Sequence, residues 1–282
     1  MVDEYLKITD CPRMTNATML VALTGWMDGG HVSTGTVKRL MDQRSAPKVA
    51  EIEPDLFYIY NFPGSMEIAA LFRPEVKFRH GLIRGTLEMP TNEFFCDAEA
   101  NLLFFLGKEP NLRWQAFADG IFTVARHAGV KRIVFVGSFG GTVPHTREPR
   151  MFASISDKSL TPTVKSQGFR LTPYEGPASF STLLLSQAGQ HNMEMLSLVA
   201  EIPGYLEGIN PLSIEAVTRR LGRILNQSVD LDALRKASNA WELKVTEAVE
   251  KDEDLAKTVR KLEQEYDDDL IERETEQGMA EA

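Results

Sequence analysis

The 282-residue chain predicts an α/β protein, with a central mixed, largely parallel sheet flanked by helices and a helical segment at its C-terminal end. Three observations lead there. Short apolar runs rich in β-branched residues alternate with stretches of helical period, the pattern of strands linked by crossover helices. Gly25, Gly107, Gly137 and the pair Pro203-Gly204 fall at or just after the ends of those runs, so parallel strands would gather these loops on one sheet edge. Finally, no glycine or proline occurs from Leu231 to Gln277, and that stretch reads as helix throughout.

Taken in order, residues 19–24 (MLVALT) form a short apolar strand ending at Gly25. Asp28-Gly29-Gly30 follows, then a helix running to about Met41 with Val37, Leu40 and Met41 on one face. Residues 49–53, 57–60 and 81–89 read as strands, and so does 102–106. Phe117, Ile121, Val124 and Ala128 recur at helical spacing, predicting a helix over 114–128 that stops at Gly129. Residues 133–136 (IVFV) make a buried strand that ends at Gly137-Ser138. A helix over 180–188, a strand over 196–202 and a helix over 213–225 complete the core, with Ser213 as the last helix's N-cap.

Apolar content of 43% and charged content of 25% are those of an ordinary water-soluble globular chain. No apolar run reaches the ~20 residues of a membrane helix, and MVDEYLKITD lacks the pattern of a signal peptide. Cys11 and Cys96 form neither a metal pattern nor a disulfide framework, which points to a reducing cytoplasm. The five histidines are scattered, so no metal site and no cofactor is expected. Net charge is −9, and residues 230–282 hold 17 acids against 8 bases, leaving residues 1–229 neutral. With no basic stripe, nucleic acid is not an expected partner, and neither is a membrane.

The charge break suggests two units, a core domain over 1–229 and an acidic helical segment over 230–282. In the latter, Leu234, Trp241, Ala248, Leu255 and Leu262 are spaced by seven, with Val245, Val259 and Tyr266 four residues after members of the series. This is an imperfect coiled-coil seam, broken by Asp252 and by Asp267-Asp268-Asp269. It reads as a hairpin packed on its own body, as a frayed exposed tail, or as a surface for a second chain, with Trp241, Leu255 and Leu262 as interface candidates.

Residues 133–150 (IVFVGSFGGTVPHTREPR) carry the strongest indication of a site. Ser138 with the amides of Gly140 and Gly141 could donate to an oxyanion, or the glycines could only turn the chain at the sheet edge. His145 and Arg147 lie two apart and share one side of an extended segment. Arg147 would grip an anion with its fork and His145 would serve as a general acid; alternatively Arg147 pairs with Glu148 or with a neighbouring subunit. Asp28 and Gly29 either cap the first helix or present its N-terminus, with a carboxylate better suited to a ribose hydroxyl than to phosphate. Glu201 with Tyr205, Glu109-Pro110 with Trp114, and Tyr174-Glu175-Gly176-Pro177 add carboxylates and aromatics from loops of the same edge. A nucleoside-processing site needs such an aromatic face, carboxylate and anion subsite.

Four segments in this order, Gly25-Trp26-Met27-Asp28-Gly29-Gly30, Gly107-Lys108-Glu109-Pro110 with Trp114, residues 137–147, and Asn210-Pro211 with Ser213, resemble the proteasome assembly chaperone family of bacteria and archaea. Val143-Pro144-His145-Thr146-Arg147 and the long acidic helical end look most like its actinobacterial-type branch. The resemblance spans about residues 18–225. It implies a fold similar to that of purine nucleoside phosphorylases and a homo-oligomer, with a trimer favoured. Members that engage the proteasome use a C-terminal hydrophobic-tyrosine-any tail. This chain ends Gly278-Met279-Ala280-Glu281-Ala282, so docking by that route is not expected. The expected function is therefore a non-enzymatic, self-assembling, protein-binding module of chaperone-like character, whose partners are copies of itself or another protein. The alternative is a nucleoside phosphorylase- or hydrolase-like enzyme, or a small-ligand sensor, using the 137–147 loop.

Overall fold

Nine strands make one sheet in the computed structural model, which describes residues 2–280. The chain runs β1 (Leu6–Ile8), β2 (Ala17–Thr24), α1 (Val32–Asp42) and β3 (Lys48–Ile52), then α2 (Met66–Ala70) and the small hairpin β4 (Phe78–Arg79) and β5 (Leu82–Ile83). It continues through β6 (Glu93–Asp97), β7 (Leu102–Lys108), α3 (Trp114–His127), β8 (Val130–Gly141), β9 (Met151–Ile155), α4 (Thr161–Lys165) and β10 (Arg170–Leu171). The last elements are α5 (Phe180–Gln187), β11 (Glu194–Pro203), α6 (Pro211–Ile224), α7 (Asp232–Glu250) and α8 (Glu253–Ala280).

The sheet order is β1-β3-β6-β7-β2-β8-β11-β9-β10. Its centre, β7-β2-β8-β11, is parallel, while antiparallel pairs join β6 to β7 and β11 to β9 on either side. The expected mixed sheet flanked by helices is thus present, with parallel pairing in the middle and again at one edge, where β10 runs parallel to β9. All four central strands point their carboxyl ends to one edge, where the loops after Thr24, Lys108, Gly141 and Pro203 meet.

Alternation along β2 sends Met19, Val21 and Leu23 to one face and Leu20 and Ala22 to the other. The first face is covered by α3 and α5 through Phe117, Ile121, Phe180 and Leu184. The second is covered by α1 and α6 through Val37, Leu40, Ile214 and Val217. An edge-to-face aromatic column of Tyr5, Phe57 and Phe117, at 5.2 and 4.9 Å, anchors the first core.

Four expectations need correction. Residues 57–60 are not a strand: Pro54 starts a 3-10 turn, and the Phe57 carbonyl accepts from the amides of Asn111 and Leu112 while its ring plugs the core. Residues 81–89 contain only the two-residue β5, paired with β4 in an exposed arm. The strand thought to stop at Gly137 continues to Gly141. None of Gly137, Gly140 and Gly141 has a left-handed backbone, so they serve close packing and not a turn. At Gly137 a Cβ would stand 2.7 Å from the Phe135 ring. Finally, Ser213 is not the N-cap of α6. Asn210 is, its Oδ1 accepting from the Ser213 amide at 3.0 Å, with Pro211 in the first turn where no amide is needed. Strands β1, β4, β6, β9 and β10 were not anticipated.

The C-terminal segment is a hairpin of two helices, α7 along α6 and α8 along α7. Asp252, the seam's odd residue, lies between them: its Oδ1 accepts from the amides of Asp254 and Leu255 and caps α8. The seven-residue series therefore does not form one seam. Val249, Val259 and Tyr266 are buried, Trp241, Leu255 and Leu262 are half-buried, and Ala248 is exposed. Glu281 and Ala282, on which the expectation about C-terminal docking partly rests, lie outside the described residues.

Candidate functional site

At the carboxyl edge of the sheet, the groups expected to bind an anion are engaged with one another. Asp28 accepts from the Thr34 amide at 3.0 Å and from its hydroxyl at 2.8 Å, which satisfies the first turn of α1. Burial pushes its carboxyl above the ordinary aspartate range, against the pull of those hydrogen bonds. Ser138 is fully buried: its hydroxyl donates to the Gly29 carbonyl at 2.6 Å and its amide donates to the Met27 carbonyl at 2.9 Å. Gly30 adopts a left-handed backbone, and a Cβ there would meet Asn210 Cβ at 2.8 Å. These bonds lock the loop after β2 to β8 and to the start of α6.

Gly140 and Gly141 pair in the sheet with Ile202 and Pro203. The carboxylate of Glu201 lies against Gly141, where a Cβ would stand 2.3 Å from Oε1. That oxygen accepts from the Thr142 amide at 2.7 Å, and Arg150 reaches Oε2 at 3.4 Å. The glycine-rich end of β8 thus holds an internal carboxylate where an external anion was expected.

His145 is buried, with both ring nitrogens in contact: Nδ1 lies 2.7 Å from the Tyr205 hydroxyl and Nε2 3.1 Å from Thr246 Oγ1 on α7. The Tyr205 hydroxyl also accepts the His145 amide at 2.9 Å. Burial lowers the His145 pKa, and nearby Glu263 opposes that shift. Arg147 spends its fork on Asp267 of α8, with Glu263 at 3.8 Å. Glu148 pairs not with Arg147 but with Arg219 and Arg220 on α6. Arg150 stacks at 4.7 Å over Tyr266, whose hydroxyl donates to the Glu148 carbonyl. Residues 142–150 are therefore clasped by the chain's own α7–α8 hairpin.

A cavity lies away from these residues. A space of about 610 Å³ opens on the α3/α5 face, over β8, β11 and β9, and is walled by Trp26, Phe139, Phe152 and Tyr174. Of the eight ligand candidates, only Gly29 and Gly140 line it; Asp28, Ser138, Gly141, His145, Arg147 and Glu201 do not. Asp28, Ser138, His145, Arg147 and Glu201, the side chains from which a nucleoside-processing site would draw its carboxylate, acid and anion subsite, do not line this concavity. Phe152, Ser154 and Ser197 were missed by sequence reasoning, although the alternation in residues 151–155 (MFASI) could have revealed β9. Glu109, by contrast, does bear on this region. Its two carboxylate oxygens accept from the amides of Trp26 (3.3 Å) and Phe180 (2.9 Å), joining the cavity's rim to the start of α5. Among the described residues, no group of three or more His, Cys, Asp or Glu could hold a metal ion, and no helix is long and apolar enough to cross a membrane.

This arrangement is that of a three-layer α/β protein with a parallel sheet centre and a helical hairpin clasped over its carboxyl edge. A model of the PAC2 family matches residues 22–249, and the chain belongs to that family. The resemblance read from the Gly25 and Gly137 segments holds. Among solved structures, the Mycobacterium tuberculosis protein of unknown function Rv2714 superposes with a TM-score of 0.83 at 22% identity, covering 97% of this chain and 92% of that one. The M. tuberculosis proteasome-assembly chaperone homologue Rv2125 gives 0.73 at 26% identity, over 86% and 99% of the two chains. PbaB of Pyrococcus furiosus, an archaeal proteasome activator, gives 0.64 at 20% identity, over 86% and 97%. No curated protein matches the sequence.

Proposed function

We propose that this protein is a self-assembling, protein-binding module of chaperone-like character, acting in the cytoplasm and without chemistry of its own. One observation carries the reading. Between β3 and β6 the chain leaves the body as an arm of α2 and the β4–β5 hairpin, and this arm exposes a dense set of large apolar side chains. Met66 is 84% exposed, Leu71 78%, Leu82 73% and Phe78 63%. Scattered exposed apolar residues are ordinary, but a concentration in one projecting segment marks a surface built to be covered. Family membership, and fold likeness to a proteasome-assembly chaperone homologue and to an archaeal proteasome activator, support a protein as the partner. A second copy of this chain is the first occupant to test, and the trimer follows from the family resemblance alone.

The test is the mass of the full chain by size-exclusion chromatography with light scattering, compared with a Leu71→Ser, Phe78→Ser, Leu82→Ser variant. These positions are exposed, so circular dichroism should stay unchanged while the assembled mass falls to that of a monomer. An assembled mass that the variant preserves removes the arm from the interface, and a wild-type monomer removes self-assembly.

A further inference from the structure

The cavity on the α3/α5 face has a chemistry that assembly through the arm does not use. We infer that it is a binding site for an uncharged, ring-bearing small molecule whose polar group meets the hydroxyls of Ser154 and Ser197. Its volume of about 610 Å³ falls within the roughly 300–1,000 Å³ of drug-sized ligand sites.

The floor is the sheet itself. Along β11, Met195 is buried in the core beneath the helices, but Ser197 and Val199, two and four residues on, line the cavity where that cover ends. The antiparallel register sets Ser197 directly opposite Ser154 of β9. Neither hydroxyl has a hydrogen-bond partner among the described residues, although Ser197 is only 7% exposed. Ser154 is half-buried, and both side chains line the cavity, so the two hydroxyls stand side by side on its floor with their hydrogen-bonding capacity open to a ligand group that donates or accepts.

The walls favour rings. Phe139 and Phe152 lie 6.0 Å apart over the strands, and Trp26 and Tyr174 stand at the rim with more than half of their surface exposed. Tyr174 belongs to the Tyr174-Glu175-Gly176-Pro177 turn, whose purpose the clasped loop leaves unexplained. Its hydroxyl donates to the Pro177 carbonyl and passes so close to Gly176 that a Cβ there would be 2.5 Å away. That turn fixes the ring at the cavity's edge. Among the described residues no charged side chain lines the cavity, so a phosphate, carboxylate or ammonium would lose its hydration without a counter-charge there.

Calorimetric titration of the full chain with 2-naphthol and coumarin, both uncharged at neutral pH, and with naphthalene-2-sulfonate tests this. The uncharged probes should bind saturably at one site, and the sulfonate at least about tenfold more weakly. A Ser154→Ala, Ser197→Ala variant should weaken 2-naphthol by about 3- to 10-fold, the worth of one hydrogen bond. Val199→Trp should abolish binding by filling the space, and Ser154→Leu should do the same should the Trp variant fail to fold. Absence of saturable binding by either uncharged probe, equal binding of the sulfonate, or binding that survives a folded cavity-filling variant would overturn the inference. Assembly measured on the same samples should not change, so the two readings fail independently.

Discussion

Arg147 and Asp267, 120 residues apart in sequence, meet in a two-pronged ion pair, with Nε at 2.9 Å from Oδ1 and Nη2 at 2.8 Å from Oδ2. The pair ties the loop after β8 to α8, beside the buried Tyr266 and the Arg150–Asp269 ion pair. The guanidinium holds the Asp267 carboxyl below its ordinary range, through the hydrogen bonds first and the charge second. A lowered carboxyl contributes stability above its unfolded value of 3.8, and that contribution is lost as pH falls through the lowered folded value. Arg147→Ala and Asp267→Asn should each speed limited proteolysis within α8 severalfold and leave the melting of the core nearly unchanged. Because both groups are partly exposed, added salt should mimic the mutations in part.

His145 supplies a pH dependence of opposite origin. Burial depresses its folded pKa, so its share of stability is present above the unfolded value near 6.5 and is lost as pH falls through the depressed one. His191 is shifted the same way, by burial first and then by Arg126. The wild-type melting temperature should therefore decline between pH 7 and pH 5 more steeply than that of His145→Gln. A second, smaller flattening is expected from His191→Gln, whose ring is less buried. Parallel slopes in wild type and His145→Gln would contradict the burial argument.

Glu109 acts as a brace, accepting from the Trp26 and Phe180 amides with one oxygen each. Glu109→Ala removes both acceptors at a helix start and should cost about 1–2 kcal/mol in urea unfolding. Glu109→Gln keeps one acceptor and should lose less. Trp26 emission should shift only in the Ala variant if the brace positions the cavity's rim.

Gly140 and Gly141 are separated by a simple comparison. At Gly141 an added Cβ would collide with the Glu201 carboxylate at 2.3 Å, whereas at Gly140 its nearest neighbour is Gly204 Cα at 3.3 Å. Gly141→Ala should destabilise by about 1–3 kcal/mol, the usual range for overpacking, and Gly140→Ala by distinctly less. Equal costs in thermal unfolding would show that Glu201 does not need its place against Gly141.

Asp28→Asn should lie within about 1 kcal/mol of wild type, since an amide oxygen can still accept from Thr34 and burial already opposes the charge. Asp28→Ala should lose the cap and cost about 0.5–2 kcal/mol by the same measurement.

What the residues reveal locally is clear in the central strands. The runs at Met19, Leu102, Ile133 and Leu196 are apolar on both faces, as strands between two helix layers must be, and they were legible at once. The helix from Trp114 was equally plain, since Phe117, Ile121 and Val124 repeat at its period. Residues 57–60 look like a strand because aromatic residues favour strands, yet Phe57 is buried by packing and its carbonyl is satisfied by a loop. Local pattern cannot tell the two kinds of burial apart.

The sequence by itself determined the fold class, the family, the parallel centre of the sheet and the edge where its loops gather, because periodicity and strand polarity are properties of neighbouring residues. Only the tertiary structure decided the partners of the polar groups on that edge. Arg147 finds Asp267, His145 finds Tyr205 and Thr246, and Glu201 finds the Thr142 amide beside Gly141, across gaps of 59 to 120 residues. Unpaired charges and polar groups are costly once water is excluded, so the nearest complementary group in space satisfies them, however distant it is in sequence. The cavity follows the same rule: it lies where the helix cover of β11 and β9 ends, a boundary that no single segment encodes.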